Sequence, residues 1–453
     1  MTPFQAIDAY LQSHLDESIA ELSHFCAQPS VSAQGVGLTE CAEMAAKMLA
    51  KRGFEVEIAR TGGAPVVYAS RKGKSDRTIL FYCHYDVQPA EPLELWETPP
   101  FEPTLRDGKL YARGVSDDKG HFTSRLFALD AFLATEGELP CNVKFLVEGE
   151  EETSSVHLHE FVGPNREKLA ADACIWEFGE INEEGTPMQY LGLRGICYVE
   201  LSVTTANQDV HSGLGGSIFP NAAWRLVWAL NTLKDANEHI LLPGFYDSVR
   251  KPSQRDIELM AALPERSGIY KKRYNLAGFL KGVKGGVELA LEEVFQPTCT
   301  ICGLTSGYQG PGSKTVLPAE ASAKIDFRLV PDQRPEEVFQ QLRQHLDEHG
   351  FEDVQVRLLG AEAPARTDPD DPFVKLACET AREVYGKPMQ IVPMVGGSGP
   401  NAVVQDALKL PIVTAGLGYP ETLAHAPNEN LRLDLYMLGT RHVTRILRAF
   451  SRG

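Results

Sequence analysis

The stretch Thr78-Ile-Leu-Phe-Tyr-Cys83 is apolar or aromatic from its second position onward and runs straight into His84-Tyr85-Asp86. A strand without polar alternation has to be covered on both faces, the condition of a parallel sheet packed between helices. Its end sets an imidazole and a carboxylate where strand gives way to loop. In open α/β sheets the carboxyl ends of the strands are where ligands bind. The pattern repeats along the first part of the chain. Short apolar runs recur at 66–68, 143–147 and 173–176; Glu151 and Glu152 follow the second of these, and Glu177 follows the third. Between them, 39–52 places Ala42, Ala45, Met48 and Leu49 on one helical face before the stop at Gly53. Asp107-Gly108 between two short apolar stretches reads as a hairpin turn, so part of the sheet is antiparallel.

After about residue 190 the period changes. Cys197, Val199, Leu201 and Val203 alternate with polar neighbours, and Ala321, Ala323, Ile325, Phe327 and Leu329 do so against Ser322, Lys324, Asp326 and Arg328. Period-two strands with one polar face belong to an antiparallel sheet covered on one side. Helices are expected near 220–234 and from Pro335 to about 349, with Pro at the first turn and Gly350 as the stop. The segment 361–453 returns to the first pattern, and 245–295 reads as irregular. The expected architecture is therefore α/β: a discontinuous catalytic domain (1–190 and 361–453) with a mixed, mainly parallel sheet flanked by helices, and an inserted α+β domain at 191–360.

Composition narrows the function classes. The 453 residues hold 44 Lys plus Arg against 61 Asp plus Glu, a net charge of −17, which argues against nucleic acid or an anionic membrane as partner. No secretory signal and no apolar run long enough to span a bilayer is read in the chain. Nine scattered cysteines, an odd number, suit buried thiols of a cytoplasmic protein. Cys299-Thr-Ile-Cys302 is a lone pair, read as strand packing rather than a redox or zinc motif.

The chemistry lies in an ordered set: His84 and Asp86, Asp117-Asp118-Lys-Gly, the glutamates of 148–152, Glu177 and His425. Each has an ordinary reading. His-x-Asp is usually a surface pair, the glutamate run a solvated loop, and the Asp pair an N-cap for a helix over 120–134. Together, after successive strands, they would converge more like charge than a site tolerates without cations, and two divalent metals remove that conflict. The residues alone leave open which glutamate would act as base.

The stretches Cys-His84-Tyr-Asp86-Val-Gln-Pro, Tyr-Ala-Arg-Gly-Val-Ser-Asp117-Asp118-Lys-Gly, Glu148-Gly-Glu-Glu151-Glu152, Gly192-Leu-Arg194-Gly, Asp209-Val-His211-Ser-Gly and Ala424-His425-Ala-Pro-Asn-Glu429 resemble the dinuclear zinc exopeptidases. That family includes cytosolic non-specific dipeptidase, carboxypeptidase G and succinyl-diaminopimelate desuccinylase. The resemblance covers essentially the whole chain and is closest to the dipeptidase branch, through Leu-Arg-Gly-Ile-Cys-Tyr, His-Ser-Gly-x-x-Gly-Gly and Phe-Arg328-Leu-Val-Pro. It implies that the inserted domain is a ferredoxin-like lid and dimerisation domain. It further implies that His84 and Glu177 hold one metal, Glu152 and His425 the other, and that Asp117 bridges them across a cis Asp117–Asp118 peptide. Asp86 would orient His84, and Glu151 would be the general base for attack by a bridging hydroxide. Glu177 stands where some relatives have Asp and others Glu.

For substrate, the resemblance implies that His211 stabilises the oxyanion in the other subunit of a homodimer. Arg328, Gly397, Ser398 and Thr315 would contact the substrate. Gly-Gly-Ser-Gly-Pro replaces the relatives' Gly-Gly-Ser-Ile-Pro, and no counterpart is located for a further pocket histidine that dipeptidases carry before this loop. The expected activity is metal-dependent hydrolysis of dipeptides or short peptides. N-acyl amino acid deacylation or desuccinylation is the alternative of the same chemistry, and a non-catalytic metal-dependent binding protein the alternative of another class. Zinc is the expected metal, with manganese or cobalt accepted by the same ligands.

Overall fold

The computed structural model describes residues 4–452. These form two compact units. The first comprises the described residues up to Leu191, Arg366–Pro393 and those from Val403 onward; the second comprises Gly192–Ala365 and Met394–Ala402. The glycine-rich stretch 396–399, expected with the segment 361–453, belongs to the second unit. There the Arg194 N–H donates to the Gly397 carbonyl at 2.9 Å, and Leu193 and Val395 form a parallel bridge.

The first unit is built on a six-stranded mixed sheet in the order Glu55–Ala59, Val66–Arg71, Cys141–Glu148, Ser75–His84, Ala173–Trp176, Ile412–Thr414. The last four strands are mutually parallel. Alternation along each strand divides two cores. Ile79, Phe81 and Cys83, with Ala173 and Ile175, face the helices Lys119–Glu136, Pro372–Tyr385 and Leu433–Phe450. Leu80, Tyr82, Cys174 and Trp176 face Leu158, Phe161 and Val404 on the other side. Both faces being apolar, the strands carry no visible period, which is why the sequence shows them as continuous runs. The edge strand Glu55–Ala59 lacks such a run and is largely exposed. The hairpin at Asp107-Gly108 forms, with φ of 51° and 73° at the two turn residues. Among the described residues no helix is long and apolar enough to cross a membrane.

The second unit holds a four-stranded antiparallel sheet in the order Thr298–Ser306, Glu320–Leu329, Gly195–Thr204, Gln355–Glu362. With helices Ala222–Asn231 and Pro335–Glu348 the chain order is strand-helix-strand-strand-helix-strand, a ferredoxin-like arrangement. Leu226, Ala229, Val338, Leu342 and Leu346 fill its one apolar face. The segment 245–295 is not irregular as expected. It carries the helices Gln254–Ala261, Ser267–Tyr274 and Gly286–Phe295. Ser267–Tyr274 buries no side chain and so has no readable stripe, while Met260, Val294, Phe295 and Met394 form a small core of their own.

One buried group makes stability depend on pH. His442, 1% exposed, hydrogen-bonds through Nε2 to the Ala377 carbonyl at 3.0 Å, and burial lowers its pKa from 6.5 to about 4. The unfolded chain therefore takes up a proton that the folded chain refuses, and stability is lost as pH falls from about 6.5 towards 4, by about 3 kcal/mol in full. Chemical denaturation of His442→Leu and the parent at pH 7 and at pH 4 should give a stability difference that changes by roughly that amount. A difference independent of pH would refute the assignment.

Candidate active site

The parallel strands Ser75–His84, Cys141–Glu148 and Ala173–Trp176 end at one edge of the sheet. His84 closes the first, Glu151 and Glu152 sit in the short 3-10 turn Glu151–Thr153 after the second, and Glu177 follows the third. Asp117 precedes the helix Lys119–Glu136, joined to Asp118 by a cis peptide. His425 comes from the loop before Asn430–Arg432, at φ 61°.

Asp117 is the meeting point. Its Oδ1 lies 2.9 Å from His84 Nε2 and its Oδ2 3.0 Å from His425 Nε2. Glu152 Oε2 lies 3.1 Å from His425 Nε2, and Glu177 Oε2 3.9 Å from His84 Nε2. Candidate ligand atoms fall into two groups, His84 with Asp118 and Glu177, and Asp117 with Glu152 and His425. The structure thus adds Asp118 to the expected set. Both Asp118 oxygens have other neighbours: Oδ2 accepts the His84 backbone N–H at 3.2 Å, and Oδ1 lies 3.0 Å from His121 Nδ1. Since Leu417 N–H donates to His121 Nε2, the proton of that ring is on Nδ1, facing Asp118. Asp118 occupies the N-cap position of its helix without a capping hydrogen bond.

His84 Nδ1 donates to the Asp86 carbonyl at 3.0 Å, with the Asp86 carboxylate 3.3 Å away. The same carboxylate accepts the backbone N–H groups of Glu151 (3.2 Å) and Glu152 (3.1 Å), so Asp86 contacts both the imidazole and the glutamate turn. Three glutamates of the run are engaged elsewhere. Glu148 accepts from Tyr82 and Ser155, Glu150 pairs with His157 at 2.9 Å, and Glu152 accepts from Gln88 Nε2 at 2.8 Å. The Glu151 side chain makes none of these pairings.

The electrostatics record the crowding. Burial, then the charges of Asp117 and Glu152 working against that of His84, raises Glu151 well above the carboxylate range; burial and Glu151 do the same to Glu177. Burial opposes charge on His84, but its hydrogen bonds to Asp117 and Asp86 outweigh this and raise its pKa well above 6.5. Hydrogen bonds donated to the Asp117 and Glu152 carboxylates raise His425 to about 10. Asp117 is lowered: burial opposes its charge, and the two imidazoles overcome that opposition.

The remaining expected residues lie in the second unit. Val210–His211 pairs with Val316–Leu317, and the Ser212 N–H donates to the Thr315 carbonyl at 3.0 Å, so His211 and Thr315 are neighbours. His211 Nδ1 accepts from Gly213 N–H at 3.0 Å, which leaves the ring proton on Nε2. Arg328 Nη1 donates to Ser398 Oγ at 2.9 Å and its Nε faces Asp326 at 3.3 Å. Beside them Arg194 is buried, its guanidinium donating to the Glu293 and Gln296 carbonyls. Burial and the neighbouring Arg328 charge lower its pKa to about 10.

Residues 80–449 match peptidase family M20/M25/M40. The chain belongs to that family. This M20 peptidase is 30% identical over 457 residues to the Beta-Ala-His dipeptidase of Homo sapiens, across 95% of this chain and 90% of the relative. It is 27% identical over 458 residues to the Cys-Gly metallodipeptidase dug1 of Schizosaccharomyces pombe, across 94% of each. Its fold superposes on the M20 family metallo-carboxypeptidase Sso-CP2 of Sulfolobus solfataricus with a TM-score of 0.89 and 36% identity, covering 96% of this chain and 99% of the other. The protein is accordingly a hydrolase acting on peptide bonds.

The donor set of the M20 peptidase fits divalent cations. With Nδ1–H committed to a carbonyl, His84 Nε2 can face the Asp117 oxygen only across a proton or a cation, because both are acceptors. Glu177 Oε2 is buried without a hydrogen-bond partner among the described residues. Such an atom, in a cluster of carboxylate oxygens and imidazoles, suits a hard or borderline metal. Sequence reasoning did not single out Gln88, His121, Arg194 or Glu429. Each acts through contacts to residues distant in the chain, and all but His121 stood within quoted motifs.

Proposed function

We propose that this enzyme removes one amino acid from dipeptides or short peptides, using a metal pair held by His84, Asp117, Glu152, Glu177 and His425. One observation carries the reading: separate oxygens of Asp117 reach His84 and His425, as a carboxylate shared between two metals requires. Two divalent cations, zinc first and manganese or cobalt as alternatives, would polarise the scissile carbonyl and neutralise developing negative charge. Glu151 takes a proton from the attacking water and returns it to the leaving amine, while Asp86 fixes its turn. Nε2–H of His211 donates to the developing oxyanion. Arg328, supported by Ser398 and the backbone at Gly397, receives the substrate's C-terminal carboxylate, with Thr315 beside His211. The relatives named as dipeptidases and a carboxypeptidase support an exopeptidase over an endopeptidase.

His211 is assigned to the active site of a second subunit. Leu214 and Ile218, next to it, are 75% and 72% exposed in the single chain. Trp224 and Trp228 stack on one helix and are also exposed, as are Ile301 and Leu304 on the edge strand of the same unit. So much apolar surface on one unit supports a homodimer. The proposed location is the cytoplasm, in keeping with nine free cysteines.

The test is a substrate screen of the metal-loaded enzyme. Unblocked dipeptides should turn over with a kcat/KM at least about tenfold above N-acetyl and N-succinyl amino acids, since the same carboxylate grip serves both and only the acyl side differs. Faster hydrolysis of the acyl compounds would replace the peptidase reading with a deacylase.

A further inference from the structure

Glu429 is wholly buried, four residues beyond His425, in a part of the site that the proposed chemistry leaves unused. Its carboxylate accepts four hydrogen bonds. Oε2 takes Arg113 Nη1 at 2.8 Å and the Gly114 N–H at 2.9 Å, and Oε1 takes the Ser116 N–H at 2.8 Å and the Asp117 N–H at 3.0 Å. The backbone of 114–117 thus curls round one carboxylate, an arrangement that N–H groups of one short segment favour for anions. Arg113 supplies the neutralising charge and extends the cluster, donating to the Pro89 carbonyl at 3.1 Å and lying over the Trp96 ring. Three segments meet here: the loop after Asp86, the Asp117 loop, and the segment that carries His425.

We infer that Glu429 is a positioning residue that presets the Asp117 carboxylate and the His425 loop for the metal pair. It touches neither metal nor substrate; it acts through the backbone of Asp117. This rests on the proposed metal-dependent reading. A carboxylate is needed because both oxygens must be acceptors. In Glu429→Gln the amide nitrogen must face either Arg113 and Gly114 or Ser116 and Asp117, so two donors oppose a third whichever way the amide turns. The Asp117 loop then has to shift, and the oxygens that face His84 and His425 shift with it.

The test is calorimetric titration of metal-free protein with Zn²⁺ and with Mn²⁺, alongside circular dichroism and kinetics. Glu429→Gln should stay folded and bind the metals about 10–100-fold more weakly, the loss expected when a group orienting a ligand is removed. At saturating metal its kcat should remain reduced with KM little changed, which a purely structural role would not produce. If Glu429→Gln does not fold, Glu429→Asp keeps the charge opposite Arg113 and shortens the reach to the backbone; the same weakening is expected. Metal affinity equal to that of the parent in a folded variant overturns the inference. Failure of the parent itself to bind two metals would instead overturn the proposed function.

Discussion

Glu151→Gln should lower kcat about 10³-fold or more while both metals remain bound, if it deletes the proposed general base and nothing else. The substitution preserves size, and the backbone N–H of residue 151 still donates to Asp86. Glu151 belongs to neither group of candidate ligands, so the His84 and His425 clusters keep their donors. The amide cannot accept the proton that the attacking water must lose. KM should change little, since the loss falls on the transition state rather than on substrate binding. Steady-state kinetics together with metal analysis of the purified variant check this. A variant that retains activity would move the base to another residue, and one that loses metal would make Glu151 a ligand.

The second large effect is a recovery. His211→Ala and Glu151→Ala should each be nearly inactive alone, and an equimolar mixture allowed to exchange subunits should regain about a quarter of parental activity. Half the dimers are then mixed. In each of these, the site built on the His211→Ala subunit has its own Glu151 and receives an intact His211 from its neighbour. The other site lacks both groups. Were His211 to act within its own chain, every site would lack one group and the mixture would stay inactive. Activity of the mixture, with exchange followed by mass spectrometry of differently tagged subunits, decides between the two.

Some of this was legible because the relevant signals are local. His84 and Glu177 stand directly after apolar strands, and a strand buried on both faces cannot hide its composition. The period-two pattern at 195–204 and 320–329 likewise announces a sheet with one covered face. What escaped has a common cause. Of the helices within 254–295, Ser267–Tyr274 buries no side chain and prints no periodicity, and the two flanking it are short and bury only three and two residues. The roles of Gln88, His121 and Glu429 depend on partners 64, 296 and 312 to 316 residues away, and no spacing within a motif reports such contacts.

The glutamate run marks the boundary most sharply. By itself the sequence determined that carboxylates and imidazoles follow successive strands of an α/β sheet, because burial and strand period are written in composition. It also carried the motifs of the M20 family. Four glutamates within five residues, however, are chemically identical in sequence. Only the tertiary structure gave Tyr82 and Ser155 to Glu148, His157 to Glu150, and Gln88 and His425 to Glu152, leaving Glu151 beside the cluster. The difference lies in their neighbours, and folding alone decides which side chains become neighbours.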